Sequence, residues 1–209
     1  MYNRKAFKRE AKQLMRASVP HFMLVALVYC LLTSGLSTAV NWLTSDGTLG
    51  IGALSIFLTI LVGLFSIVMG VGFSNYALRL ARREETGIGS LFHAFSFAGR
   101  SIGMNLLVVL FTFLWSLLGI VAFAAVVGIL AVATEETAVL VAAVIILYIA
   151  LMVLIVVISL RYAMASFALV DDPDAGAMEA IRRSVQMMRG YKGKLFVLQL
   201  SFIGWELLV

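Results

Sequence analysis

Residues 137–160 read TAVLVAAVIILYIALMVLIVVISL, 24 consecutive residues without a Lys, Arg, Asp or Glu. A helix needs about 20 mostly apolar residues to cross a hydrocarbon layer of roughly 30 Å. Backbone in lipid must satisfy its own hydrogen bonds, which selects helix over open strand. Working outward, charge is also absent from Ala17–Ser45, Gly47–Leu78 and Ser101–Thr134, stretches of 29, 32 and 34 residues. Spans are therefore predicted at about 20–41, 52–78, 103–132 and 138–160. A fifth apolar stretch, Leu195–Trp205, meets Glu206 and the chain ends at Val209. Residues 195–209 make only about 22 Å of helix, so the expectation is a truncated fifth span, with Glu206 turned towards neighbouring helices or a wet cavity.

Composition agrees. Of 209 residues, 62% are apolar and 13% charged, with a mean hydropathy of +1.04, against roughly 45–50% and 25% in ordinary soluble domains. A water-soluble enzyme domain is excluded. The single cysteine, Cys30, and the two histidines, His21 and His93, leave no disulfide framework, thiolate cluster or multi-histidine metal site to build. No cofactor and no metal are expected.

Charge placement predicts orientation. Arg4, Lys5, Lys8, Arg9, Lys12 and Arg16 precede the first span; Arg79, Arg82, Arg83 and Arg100 lie between the second and third; Arg161, Arg182, Arg183, Arg189, Lys192 and Lys194 lie between the fourth and fifth. These are all 16 basic residues, while the other two connections hold only Asp46 and the pair Glu135 and Glu136. By the positive-inside rule the N-terminus is expected in the cytoplasm. The net charge of +5 follows from this asymmetry and from attraction to anionic headgroups, and needs no nucleic acid.

Three charged segments carry further pattern. Residues 3–16 read as a basic amphipathic helix, with Asn3 as N-cap and Phe7, Ala11 and Leu14 on one face. The 79–103 segment reads as a turn at Gly87 and Gly89 followed by an aromatic interfacial stretch, Leu91 to Phe97. In Asp171-Asp172-Pro173-Asp174, Asp172 is placed to cap and Pro173 suits a first helical position. A helix over 173–189 is predicted, with Met178, Ile181, Val185 and Met188 as its apolar stripe and Gly190 as its stop. Within the spans Gly63, Gly70 and Gly72, and the Gly99/Gly103 pair, read as sites of close helix packing.

The stretch Arg161-Tyr162-Ala163-Met164, then Leu169-Val170-Asp171-Asp172-Pro173, then Glu179-Ala180-Ile181 with Ser184, Met188, Gly190 and Lys192, and finally Leu195-Phe196 with Leu200 to Trp205, resembles the prokaryotic membrane protein family known as domain of unknown function 975. The basic opening, Asn3-Arg4-Lys5 through Ala11-Lys12, is similar as well. The resemblance implies a multispan helical protein of the prokaryotic cell membrane, related to six-span proteins, and implies no reaction or substrate. The fold class is thus all-α, a polytopic transmembrane helix bundle of four complete spans and a truncated fifth, with interfacial amphipathic helices on the cytoplasmic side. The candidate motif is Arg161, Tyr162, Asp171, Asp172, Pro173, Ser184, Gly190, Lys192, Trp205 and Glu206.

No catalytic constellation is legible. The foremost functional reading is a non-enzymatic protein that organises lipid or binds a partner, meeting the bilayer and its anionic headgroups and compatible with a protein partner or a homo-oligomer. The alternative is a small permease component, its spans surrounding a polar path of residues such as Asn75, Asn105 and Gln199. A membrane-embedded enzyme acting through Asp171, Asp172 and Asp174 ranks last, because acid–base chemistry needs convergent groups of shifted pKa.

Overall fold

The uncharged stretches become helices, and the charged ones shorter helices and turns. A computed structural model of the chain describes residues 4–17, 22–45, 52–134 and 136–206. Its elements are α1 (Arg4–Ala17), α2 (Phe22–Cys30), a π-helical stretch (Leu31–Gly35), α3 (Leu36–Ser45), α4 (Ala53–Ala81), α5 (Gly89–Phe92), a 3-10 turn (His93–Phe97), α6 (Ala98–Ala133), α7 (Thr137–Tyr162), α8 (Ala165–Asp171), α9 (Ala177–Met187) and α10 (Lys192–Glu206). No strand occurs among the described residues. The proposed cap Asn3, the acidic connections at Asp46 and Glu135, and the side chains of Trp205 and Glu206 lie outside the described set.

Four helical runs are long and apolar enough to cross a membrane: Phe22–Thr44, Ala53–Ala81, Gly89–Ala133 and Thr137–Asp171. The last two extend well beyond their uncharged cores. Charge marks where lipid must end, whereas helix continues for as long as the backbone keeps bonding to itself. Many large apolar side chains on these runs are exposed, among them Leu106, Ile129 and Val132. Such a surface suits hydrocarbon rather than water.

The chain divides into two compact units. The first combines residues 1–105 with 166–177. Its core is Val25, Met69, Tyr76 and Leu91, flanked by Phe22, Tyr29, Phe65 and Phe73. Tyr29 stacks on Phe73 at 4.8 Å between ring centroids, a pair worth about 0.5–1.5 kcal/mol beyond its burial. Helix α5 lies hard against α4, because Gly72 lets the Leu91 carbonyl in: a Cβ at position 72 would stand 1.9 Å from that oxygen. The buried Asn75 amide then donates to the Ser90 carbonyl at 2.9 Å. The other glycines expected to mediate packing behave differently. Nothing lies within 4 Å of a Cβ at Gly63 or Gly99, and at Gly103 the contact is an ordinary 3.9 Å to Ala177.

Helix α4 closes with the Glu84 N–H bonded to the Arg79 carbonyl at 3.0 Å and Arg83 at φ +59°. That is the left-handed cap position usually held by glycine.

The second unit combines residues 106–165 with 178–209. Here α7 and α10 pack together, and Phe111 of α6 stacks against Tyr162 at 6.3 Å. A Cβ at Gly119 would sit 3.0 Å from side-chain carbons of Leu151 and Leu154, so this glycine brings α6 and α7 close.

One expectation about the third charged segment is corrected. The helix predicted from Pro173 begins at Ala177. Residues 172–175 form a turn closed by the Ala175 N–H to the Asp172 carbonyl at 3.1 Å. The Pro173 carbonyl accepts a hydrogen bond from Arg100, so the capping residues serve as a loop held by a distant arginine. At the other end α9 stops at Met187, and Gly190 takes φ +77° in the following turn.

Candidate functional site

The segment after α7 is built around Ser184. Helix α7 ends at Tyr162 and the chain turns at Ala163 and Met164 before α8. A helix end leaves backbone carbonyls and amides without helical partners. The Ser184 hydroxyl meets one of each, donating to the Arg161 carbonyl at 3.1 Å and accepting from the Met164 N–H at 3.2 Å. Its oxygen thus bridges the break, and Ser184 itself is fully buried.

That clamp sets which face of α9 turns inward. The buried residues are Ala180, Ile181, Ser184 and, just beyond the helix, Met188. Of the predicted stripe, Ile181 and Met188 are buried, Val185 is half-buried, and Met178 is 41% exposed. The face is turned from the purely apolar stripe towards Ala180 and Ser184, because small side chains allow close approach and the serine hydroxyl is needed at the α7 break.

The acidic cluster belongs to the first unit. Asp171 pairs with Arg82. Asp174 accepts from Arg100 at 3.2 Å, and the same guanidinium holds the Pro173 carbonyl. Arg79 meets Glu84 at 3.2 Å and Arg83 meets Glu10 at 3.9 Å. These side chains are exposed, so the pairs position the turn more than they stabilise the fold. The Arg82 guanidinium holds its proton more firmly than usual, chiefly through its hydrogen bond to Asp171. A raised arginine pKa contributes its stability below the ordinary value and loses it only as pH rises through the elevated one. The pairing is therefore intact on that partner's side throughout the physiological range. Asp171 and Asp174 are thus engaged by arginines, and no group of three or more metal-ligating side chains occurs among the described residues.

The candidate motif is consequently split. Asp171, Asp172 and Pro173 lie in the first unit; Arg161, Tyr162, Ser184, Gly190 and Lys192 lie in the second. In the second unit Arg161, Tyr162, Ile181, Arg182, Val185, Gln186 and Arg189 line an open pocket of ≈ 350 Å³ together with Phe111 and Trp115 of α6. The Nε of Arg161 is buried without a hydrogen-bond partner. Lys192 opens α10 and borders a separate aliphatic pocket with Met152, Val156 and Phe196.

The polar residues considered for a transport path are bonded to backbone carbonyls or exposed. Asn75 bonds to Ser90 and Asn105 to the Ser101 carbonyl of its own helix, while Gln199 is exposed. His93 is exposed beside the Phe97 ring.

Sequence reasoning missed Phe111, Trp115 and Gln186 as parts of one site. The spacing of Arg182, Gln186 and Arg189 at i, i+4 and i+7 was the readable signal, since it puts them on one helix face. Nothing in the apolar run of α6 marks its Phe111 and Trp115 as their neighbours.

Across residues 1–209 the chain matches the family described as "Protein of unknown function (DUF975)". The chain belongs to that family. For this DUF975 chain the clamp joins Ser184 to the backbone of Arg161 and Met164, and the turn engages Asp171, Asp172 and Pro173, which gives structural work to these six of the residues on which the resemblance rested. No curated protein and no solved structure matches it.

Proposed function

We propose that this DUF975 chain is a non-enzymatic multispan protein that organises the membrane around it, its basic segments engaging anionic headgroups on the cytoplasmic side. The observation that carries the reading is the placement of charge on α9. Its inner face is held by Ser184 to the end of α7, and Arg182, with Arg189 just beyond the helix, remains exposed beside that face. A helix fixed at the end of a membrane-spanning run with its bases outward is set to hold anionic lipid. The N-terminal helix α1, whose described lysines and arginines, Arg9, Lys12 and Arg16, are exposed, adds a second such surface. A second copy of the chain or another membrane protein is the natural further partner for the exposed apolar spans. The permease alternative is disfavoured because the side-chain amides of Asn75 and Asn105 are already bonded to backbone carbonyls of the chain.

The test is reconstitution of the full chain into vesicles of phosphatidylcholine with about one third phosphatidylglycerol carrying a self-quenching headgroup label, near the proportion that gives a strongly negative surface. Membrane organisation predicts increased self-quenching as anionic lipid gathers around the protein, with no release of trapped small solutes. Unchanged quenching, or solute release that depends on the protein, would defeat the reading.

A further inference from the structure

We propose that the pocket between Phe111 and Trp115 on one wall and Arg161, Arg182 and Arg189 on the other is a binding site for the phosphate of an anionic lipid headgroup. This rests on the membrane-organising reading and gives it a specific address.

The argument begins with a contrast among the arginines. From residue 79 to residue 189 the chain has eight, and five of them, Arg79, Arg82, Arg83, Arg100 and Arg183, pair with carboxylates. The remaining three, Arg161, Arg182 and Arg189, have no carboxylate partner among the described residues. All three line the same pocket, and no acidic residue lines it. Elsewhere in that stretch the arginines meet carboxylates; here three positive charges line one pocket with no carboxylate partner among the described residues. Guanidinium groups bind phosphate through paired N–H donors in a planar fork, and the Gln186 amide on the same helix face supplies further donors. The Nε of Arg161 is buried without a hydrogen-bond partner, a desolvation cost that turning the guanidinium onto a bound phosphate would relieve.

The other wall identifies the source of the phosphate. Phe111 and Trp115 are one turn apart on α6, within a run apolar enough to span a membrane, and Trp115 is 45% exposed. Phe111 stacks against Tyr162, next to Arg161 at the charged end of the uncharged run 137–160, so its ring is level with the end of that span, where aromatic rings are the usual companions of lipid glycerol and upper acyl chain. A soluble phosphate would gain nothing from them. A lipid has its charge at the arginines and its apolar part along the rings.

The test uses the purified full chain in a neutral detergent, with native mass spectrometry and lipid titration as readouts. Dioleoylphosphatidylglycerol, dioleoylphosphatidylcholine and inorganic phosphate are the probes. At about 0.3 M salt, where charges not held in a built site are largely screened, phosphatidylglycerol should bind the protein at least about tenfold more tightly than phosphatidylcholine. Arg182→Gln/Arg189→Gln should remove that preference by about tenfold or more, while Arg79→Gln/Arg83→Gln, which removes the same charge at two exposed arginines already paired with Glu84 and Glu10, should change it by less than about threefold. Circular dichroism shows whether the variants keep their helix; if the glutamine pair does not, Arg182→Lys/Arg189→Lys keeps the charge, loses the fork and should still weaken binding. Equal losses from the two glutamine pairs would overturn the site and leave only net charge. Arginine-dependent binding of inorganic phosphate without arginine-dependent binding of the lipid would overturn the lipid assignment. Headgroup clustering in vesicles can persist through the remaining bases when the pocket fails, so the two proposals fail separately.

Discussion

Ser184 joins two stretches of backbone that no local rule connects. Its hydroxyl meets an acceptor at Arg161 and a donor at Met164, more than one helix away in sequence. Ser184→Ala should leave both backbone groups without their partner inside a buried site. The expected loss is about 1–3 kcal/mol, read as an earlier midpoint when the purified protein is unfolded by sodium dodecyl sulfate in mixed micelles. A midpoint equal to that of the unaltered chain would show that water already serves those groups. Gly72 and Gly63 make a second residue-scale comparison on one helix. Gly72→Ala drives a methyl into the Leu91 carbonyl and should cost about 1–3 kcal/mol or more as α5 is displaced. Gly63→Ala meets open space and should be neutral or stabilising by up to about 1 kcal/mol, since alanine is the better helix former. The same titration checks both. At this scale the sequence marked all these glycines alike, because closeness of a neighbouring backbone leaves no trace in the glycine itself.

At the scale of the element, α9 shows how far periodicity carries. The pattern of Met178, Ile181, Val185 and Met188 correctly announces an amphipathic helix, but it weighs only hydrophobicity. The observed face also contains Ser184, which the pattern assigns to no side, and it leaves Met178 outside. Ile181→Asp should therefore destabilise the segment on the order of 3 kcal/mol or more, and Met178→Asp should change it by less than about 0.5 kcal/mol. Limited proteolysis between residues 172 and 192 distinguishes them: faster cleavage for the first and an unchanged rate for the second. Equal behaviour of the two would restore the original stripe. The start of the helix is misplaced for a related reason. Asp172 and Pro173 have good capping chemistry, yet Arg100, 73 residues away from Pro173, binds that carbonyl, and a loop held from outside outcompetes a local cap.

For the whole molecule, the ordering of charge makes a single directional prediction. All 16 basic residues fall before the first span, between the second and third, or after the fourth. Cysteines placed at Arg83 and at Arg183 should be shielded from a membrane-impermeant thiol reagent in intact cells, while one at Asp46 should react; Cys30 replaced by serine removes the background. Labelling at Arg83 or Arg183 with none at Asp46 would reverse the orientation.

The sequence by itself determined that this protein is all-α and rich in membrane-spanning helix, because the demand of hydrocarbon is met residue by residue: apolar side chains, no unpaired backbone, and length. It also marked the segments where amphipathic helices form and the Arg161 to Trp205 stretch on which the family resemblance rests. Only the tertiary structure decided that Ser184 closes the end of α7, that Gly72 rather than Gly63 admits a neighbour, and that Arg161, Arg182 and Arg189, without a carboxylate partner among the described residues, share a pocket with Phe111 and Trp115. Those outcomes depend on which distant groups meet across packed helices. A run of Leu, Val and Phe suits lipid and a neighbouring helix equally well, so hydrophobicity along the chain cannot choose among partners, and geometry must.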